Sequence, residues 1–299
     1  MEYPLFTDFF SGEAHTYLER LLDLALAEDG PDLTSQGIFS RRERLEALVL
    51  AKENAIVAGL PLVPLILERC ELPASPWSWQ ALVQEGAQVE AGQNLVRIEA
   101  GAHALLKAER VILNFLCQLS GIASLTWRYV QELEGSGVRL LDTRKTPPGM
   151  RWPAKYAVLV GGGCNHRRNL AEMLMLKDNH LDAAGSIKDA IARLRSVYGP
   201  QCPPIEVECR NRTELLEAIE GGAERVMLDN LDAAALERLL PLVPKEIEAE
   251  VSGGVRFDNI RSLALASTRR PDFISVGRIT HSAPTVDFSM RIIAQDSHE

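Results

Sequence analysis

The sequence predicts an α/β protein: an N-terminal α/β domain followed by an incomplete (β/α) barrel. Three observations predict it. Beyond residue 138, short apolar runs alternate with stretches of helical periodicity, as in a parallel sheet. Each of those runs ends in a polar or glycine-rich cluster. The first half instead mixes helical patterns with hairpin-like alternation.

Residues 14–28 place Leu18, Leu21, Leu22 and Leu26 at helical spacing. Residues 44–58 read as one strand or two, and Gly59-Leu60-Pro61 leads into a helix near 61–71. Residues 81–99 alternate apolar and polar residues around Gly86 and Gly92, as β-hairpins do. Their glycine spacing also resembles a biotinyl or lipoyl carrier hairpin. Such a hairpin needs a lysine to modify, and this stretch has none. Residues 102–133 are one long helix, or two joined near Gly121.

The second half then reads as strand 138–142, strand 173–177, helix 186–197, strand 204–208, helix 212–220 and strand 225–229. Helix 232–240, strand 247–251, helix 256–267 and strand 273–276 follow. These are six strands, two short of a closed eight-stranded barrel. The expected division is a domain at 1–118, a barrel at 119–279, and a C-terminal segment 280–299 able to pack with the first domain.

Bulk properties narrow the function. Of the 299 residues, 46% are hydrophobic and 24% charged, an ordinary globular balance. The net charge of -9 opposes binding to nucleic acid or an anionic membrane, so an anionic ligand needs a local cation cluster. The five cysteines contain no C-x-x-C pair, which argues against a disulfide framework or cysteine zinc site. Met1 to Phe10 lacks the basic and apolar regions of a signal peptide, and no apolar run approaches the roughly 20 residues of a membrane span. A cytoplasmic location is expected.

The strand ends supply the chemistry. Asp142-Thr143-Arg144-Lys145 closes the first strand and Lys177-Asp178-Asn179-His180 the second. Glu206 and Glu208 lie on the third, and Asp229-Asn230 closes the fourth. Ser252-Gly253-Gly254 and Ser275-Val276-Gly277 close the last two. Barrel active sites are assembled from the C-terminal ends of several strands, whereas an open doubly wound sheet uses one switch point. All six ends are polar or glycine-rich here, which favours the barrel. The two glycine clusters suit a phosphate, with Ser252-Gly253-Gly254 opening a helix at 256. Arg144, Lys145, Lys177 and the run Gly161 to Arg168 supply cations; Arg168 itself reads as a surface residue. Glu206 and Glu208 share a side, and Glu208 is nearer the strand end. Glu208 and Asp229 could hold Mg²⁺, stabilise an oxocarbenium ion, or simply pair with Arg144 or Lys177.

In order along the chain, these runs resemble the quinolinate phosphoribosyltransferase family. The resemblance covers about residues 20–290. It includes Ala108-Glu109-Arg110, Leu119-Ser120-Gly121-Ile122-Ala123, Lys155-Tyr156-Ala157-Val158, Gly161-Gly162-Gly163 and Asn165-His166-Arg167 besides the strand ends. It implies an N-terminal α/β sandwich-like domain and an incomplete barrel of the type II phosphoribosyltransferase kind. The implied reaction joins quinolinate to phosphoribosyl pyrophosphate with Mg²⁺, giving nicotinate mononucleotide, pyrophosphate and CO₂. By resemblance, Arg144, His166, Arg167 and Lys177 line the quinolinate pocket, and Lys145 stands near the reacting centre and the sugar donor. Glu208 and Asp229 face ribose and metal. Ser252, Gly253, Gly254, Ser275, Val276 and Gly277 hold the 5′-phosphate. Arg110 reaches the site of a neighbouring subunit, which implies a homodimer, with no nucleic-acid or membrane partner.

Departures from the family pattern fall at Glu28 to Thr34, Trp152-Pro153-Ala154, Thr268 to Pro271 and Arg278. None removes a proposed catalytic group; Trp152 and Arg278 bear on pocket shape. Two other readings compete: a paralogue of the molybdate-transport type, and a non-catalytic anion-binding barrel. Asn165-His166-Arg167 and Lys177-Asp178-Asn179-His180 weigh against the first, and intact Lys145, Glu208 and Asp229 against the second.

Overall fold

A computed structural model describes residues 2–71, 76–177, 180 and 185–293. Asp178, Asn179 and the end of the C-terminal segment, 294–299, lie outside the described residues. The chain forms two compact units: 1–125 with 147–161 and 283–299, and 126–146 with 162–282. The expected division at 118/119 omits the excursion of residues 147–161 into the first unit.

The first unit begins with α1 (Pro4–Phe9), α2 (Glu13–Glu28) and α3 (Leu33–Ile38). Leu18, Leu22 and Leu26 are buried along one stripe of α2, each contributing about 1.5–3 kcal/mol of burial free energy. The acidic loop ends as a helix cap, because Asp32 Oδ1 accepts the Ser35 N–H at 3.0 Å. Then come β1 (Arg44–Ala51), β2 (Ala55–Ile56), α4 (Leu62–Cys70), β3 (Ser78–Ala81), β4 (Gln88–Val89) and β5 (Asn94–Gly101). Gly86 and Gly92 turn with φ of 80° and 89°. The residues between them do not pair with their sequence neighbours, however: β4 pairs with β2. β3 and β5 pair antiparallel in a four-stranded sheet whose order is completed by β1 and the C-terminal strand 288–293.

The helix after β5 is continuous: α5 runs Ala102–Glu132. Gly121 does not break it. A Cβ there would lie 2.1 Å from the Pro284 carbonyl oxygen, so the glycine permits a close approach.

The second unit contains the parallel sheet. Its strands are β6 (Arg139–Leu141), β7 (Leu174–Leu176), β8 (Ile205–Cys209), β9 (Arg225–Asp229), β10 (Glu248–Ser252) and β11 (Phe273–Ser275). Between β6 and β7 the chain passes through α6 (Arg151–Val160), which belongs to the first unit. The later helices are α7 (Ile187–Tyr198), α8 (Arg212–Gly221), α9 (Ala233–Leu239), α10 (Ile260–Ala264) and α11 (Arg278–His281). The C-terminal strand 288–293 is β12.

The sheet order is β6-β11-β10-β9-β8-β7. The first strand therefore pairs with the last, and the seam lies between β6 and β7. Only a single bridge, Leu141 to Cys164, lies along β6 on that side among the described residues. Six strands in this cyclic order make the incomplete barrel the sequence predicts.

One element is shorter than expected. In place of a helix over 256–267, α10 begins at Ile260. Asn259 explains the delay: its Oδ1 accepts the Arg256 N–H at 2.7 Å and its Nδ2 donates to the Gly254 carbonyl at 3.1 Å. That side-chain turn competes with helical hydrogen bonding. Phe257 meanwhile packs edge-on against Tyr129, 5.4 Å between centroids. The expected helix end beside Gly254 is therefore absent.

Candidate active site at the strand ends

Alternation along the parallel strands decides what reaches the cavity. Inward residues step by two: Met175 and Lys177 at β7, Met227 and Asp229 on β9, Glu250 and Ser252 on β10. With Thr143 to Lys145, His166, Arg167, Glu208, Asn230, Gly253, Gly254 and Ser275 they line one cavity of about 480 Å³ within the second unit. It thus collects Arg144, Lys145, His166, Arg167, Lys177, Glu208, Asp229, Ser252, Gly253, Gly254 and Ser275 from the sequence reading.

Three predicted residues stand elsewhere. Val276 is buried and donates its N–H to the Leu141 carbonyl at 2.9 Å, so that donor is already used. Gly277 is not part of the lining, but it makes room for a residue that is. A Cβ there would lie 3.1 Å from Lys145 Cδ and 3.2 Å from Thr143 Oγ1. Arg110 is exposed on α5 in the first unit, beside the loop Asp29 to Thr34.

Lys145 is anchored through its backbone. Its N–H donates to Thr143 Oγ1 at 3.1 Å, and its carbonyl accepts from Thr280 Oγ1 at 2.8 Å. The ammonium therefore extends from a fixed base. Lys177 Nζ lies 3.8 Å from Glu208 Oε2, a loose pair at the strand ends. Arg167 donates through Nη1 to the Met173 carbonyl at 2.8 Å. Burial and then the neighbouring Arg144 guanidinium lower its pKa from the usual arginine range. Two neighbouring guanidiniums have the donor geometry that suits an anion.

The glycine-rich end is built by interlocking loops. Gly253 has φ +79°, and a Cβ there would lie 2.4 Å from Asn230 Oδ1. Asn230 is itself left-handed at φ 54° and donates its N–H to the Ser252 carbonyl at 2.9 Å. Its side-chain amide hydrogen-bonds Asp229, tying an acid of the site to the same turn.

Sequence reasoning missed Glu250, which is fully buried below the cavity mouth. Burial and then the Glu206 carboxylate raise its pKa to about 8. Burial also raises Glu206, to about 7, with Arg225 opposing. Their signal was present as acids inside apolar strands, the residue type least often fully buried. Trp152 and Arg278 are not among the residues that line the cavity. Trp152 packs against Phe9 in the first unit, 5.9 Å between ring centroids, and Arg278 is exposed.

Comparison with known proteins identifies the family. Residues 32–120 match the quinolinate phosphoribosyl transferase N-terminal domain, and residues 122–291 match the C-terminal domain. The chain is 37% identical over 280 residues to a Bacillus subtilis protein named probable nicotinate-nucleotide pyrophosphorylase [carboxylating], covering 93% of this chain and 94% of that one. It is 36% identical to the Arabidopsis thaliana chloroplastic nicotinate-nucleotide pyrophosphorylase [carboxylating], covering 92% and 82%. Among solved structures, NadC from Streptococcus pyogenes superposes with a TM-score of 0.87 at 34% identity, over 96% of this chain and 100% of that one. No helix among the described residues is long and apolar enough to cross a membrane. With both domains matched across nearly its whole length, the chain belongs to the quinolinate phosphoribosyltransferase family.

Proposed function

We propose that the protein is a nicotinate-nucleotide pyrophosphorylase (carboxylating). It transfers phosphoribosyl from phosphoribosyl pyrophosphate to quinolinate and releases pyrophosphate and CO₂. The observation that carries this reading is the meeting of Arg144, Lys145, Arg167 and Lys177 with Glu208 and Asp229 in one cavity. A chain of net charge -9 needs such a local cluster to bind a dianion beside a polyphosphate.

Arg144, Arg167 and Lys177 hold the two ring carboxylates, with His166 in the wall. Ser252, Gly253 and Gly254 take the 5′-phosphate at the other end, beside Ser275 and the Val276-Gly277 turn. The 5′-phosphate site relies on the turn and not on a helix end. Binding both substrates brings the pyridine nitrogen against the anomeric carbon, which removes most of the entropic cost of their encounter. The nitrogen–carbon bond forms as the bond from carbon to pyrophosphate oxygen breaks. Glu208 and Asp229 face the positive charge that develops on the sugar, and Lys145 faces the negative charge of the departing group. The ring nitrogen is then cationic. The bond to the adjacent carboxylate breaks, its electron pair stays on the ring beside that cation, and a proton replaces CO₂.

Glu208 and Asp229 offer a carboxylate-only donor set, which fits Mg²⁺ completed by water and substrate phosphate oxygens. When bound, the ion neutralises charge on pyrophosphate as it leaves. Arg110, exposed on α5 and not among the residues that line the cavity, completes the site of a neighbouring subunit in a homodimer.

The test is release of labelled CO₂ from carboxyl-labelled quinolinate. Release is expected only with both phosphoribosyl pyrophosphate and Mg²⁺ present. Folded protein that releases none under those conditions refutes the reading.

A further inference from the structure

Beside the cations of the cavity lies a buried group to which the reaction assigns no chemical step. Glu206 on β8 and Glu250 on β10 have no exposed surface, and His166 has only 6%. His166 Nε2 lies 2.9 Å from Glu206 Oε2 and 3.5 Å from Glu250 Oε2. The other ring nitrogen is committed: Nδ1 accepts the backbone N–H of Arg167 at 2.7 Å. A nitrogen that accepts an N–H carries no proton. That single hydrogen bond at Nδ1 assigns the neutral ring protonated at Nε2.

Two consequences follow from that tautomer. The ligand atoms of His166, Glu206 and Glu250 all lie within 4.8 Å of one another, a spacing that could hold a metal ion. Yet Nε2 offers a proton there and not a lone pair, and a metal-bound histidine would donate from Nδ1, not accept. The arrangement is a proton-bearing contact and not a metal site. Second, the ring contributes no charge to the pocket wall, where the described cations are Arg144, Lys145, Arg167 and Lys177.

The same loop is gripped from its backbone. Asp142, also fully buried, accepts the His166 N–H at Oδ1 and the Asn165 side-chain amide at Oδ2, both at 2.8 Å. Asp142 therefore ties residues 165–166 to the strand end that carries Arg144 and Lys145. The groups facing Glu250 are Glu206, His166, Ser275 and Arg225, whose Nη1 lies 3.7 Å from Glu250 Oε2.

We propose that Glu206 and Glu250 are positioning residues for the quinolinate pocket. They hold His166 as the Nε2–H form, and His166 Nδ1 pins the Arg167 backbone. Arg167 needs that hold because it stands within the field of Arg144, and two like charges part unless the backbone beneath them is fixed. The role given to Arg167 rests on quinolinate as the ligand; the tautomer does not.

Nitrogen-15 NMR of the full chain labelled at histidine side chains reads the tautomer directly, with His166 assigned by its loss in His166→Gln. His166 should carry its proton on Nε2 and none on Nδ1, as the Arg167 N–H donated to Nδ1 requires. An imidazolium or Nδ1–H signal overturns the proposal. Calorimetric titration of wild type, Glu206→Gln and Glu250→Gln supplies the second arm. Quinolinate affinity should fall on the order of tenfold, about 1.4 kcal/mol. Affinity for phosphoribosyl pyrophosphate should stay unchanged. Equal loss of both ligands, or undiminished quinolinate affinity, overturns the proposal. Stoichiometric Zn²⁺ uptake by the wild type, lost in Glu250→Gln, also overturns it, in favour of a metal site. If the variants do not fold, the NMR result on the wild type decides. If the wild type binds no quinolinate, the functional reading fails while the tautomer still tests the buried acids.

Discussion

Replacing Gly253 by alanine probes the turn assigned to phosphate, and its cost can be worked from the structure. The backbone there has φ +79°, where a residue with a Cβ costs about 1–2 kcal/mol. The new methyl would also lie 2.4 Å from Asn230 Oδ1, 2.5 Å from its Cγ and 2.6 Å from its backbone N. A side-chain amide can rotate away, but the backbone nitrogen cannot, because its N–H is bonded to the Ser252 carbonyl at 2.9 Å. Overpacking of this kind costs about 1–3 kcal/mol. The smallest sum, about 2 kcal/mol, corresponds to a drop of roughly 4–8 °C in melting temperature for a domain of this size. Thermal unfolding followed by circular dichroism measures it, alongside affinity for phosphoribosyl pyrophosphate. Asn230→Gly should restore part of the loss, since it removes the amide and accepts the left-handed backbone. A Gly253→Ala protein that melts within 1 °C of wild type and binds phosphoribosyl pyrophosphate normally would show that the close approach of these loops is not a constraint.

Lys145→Ala is expected to lose turnover far more than quinolinate affinity. Steady-state kinetics beside direct titration separates the two, and equal losses would make Lys145 a binding residue only. Mixing inactive Arg110→Ala with inactive Lys145→Ala subunits should restore partial activity, because one site of each mixed dimer is then intact. No recovery despite demonstrated subunit exchange counts against a shared site. Glu250 makes stability depend on pH. Its folded pKa of about 8 is raised above the ordinary carboxylate range, so the folded state keeps a proton that the unfolded chain has lost. Stability is then fully present below about pH 4.5 and is lost as pH rises toward 8, at up to about 1.4 kcal/mol per pH unit per retained proton. Denaturant titrations across that range should show a shallower slope in Glu250→Gln; an unaltered slope would mean Glu250 is ionised throughout.

Much of the chemistry was written locally. An apolar run that ends in Arg144-Lys145, Lys177 or Asp229 declares both a strand and what stands at its end, because alternation and strand polarity need no distant partner. The six parallel strands, the acids Glu208 and Asp229 and the glycine turn at 252–254 all fall where that pattern puts them. Other features depend on contacts between residues far apart in the chain. Periodicity cannot say that β4 pairs with β2, or that the barrel seam lies between β6 and β7. It cannot show that Asn259 spends its side chain on Arg256 and Gly254 and so delays a helix. It treats Val276 and Ser275 alike, although one N–H is already bonded to Leu141 while the neighbouring residue lines the cavity. Above all, it reads Glu250 as one more polar letter in a strand. By itself the sequence determined the family, the strand polarity and the charges available at the strand ends. Only the tertiary structure decided which charges meet, because burial and pairing are set by neighbours across the sheet and not by neighbours along the chain.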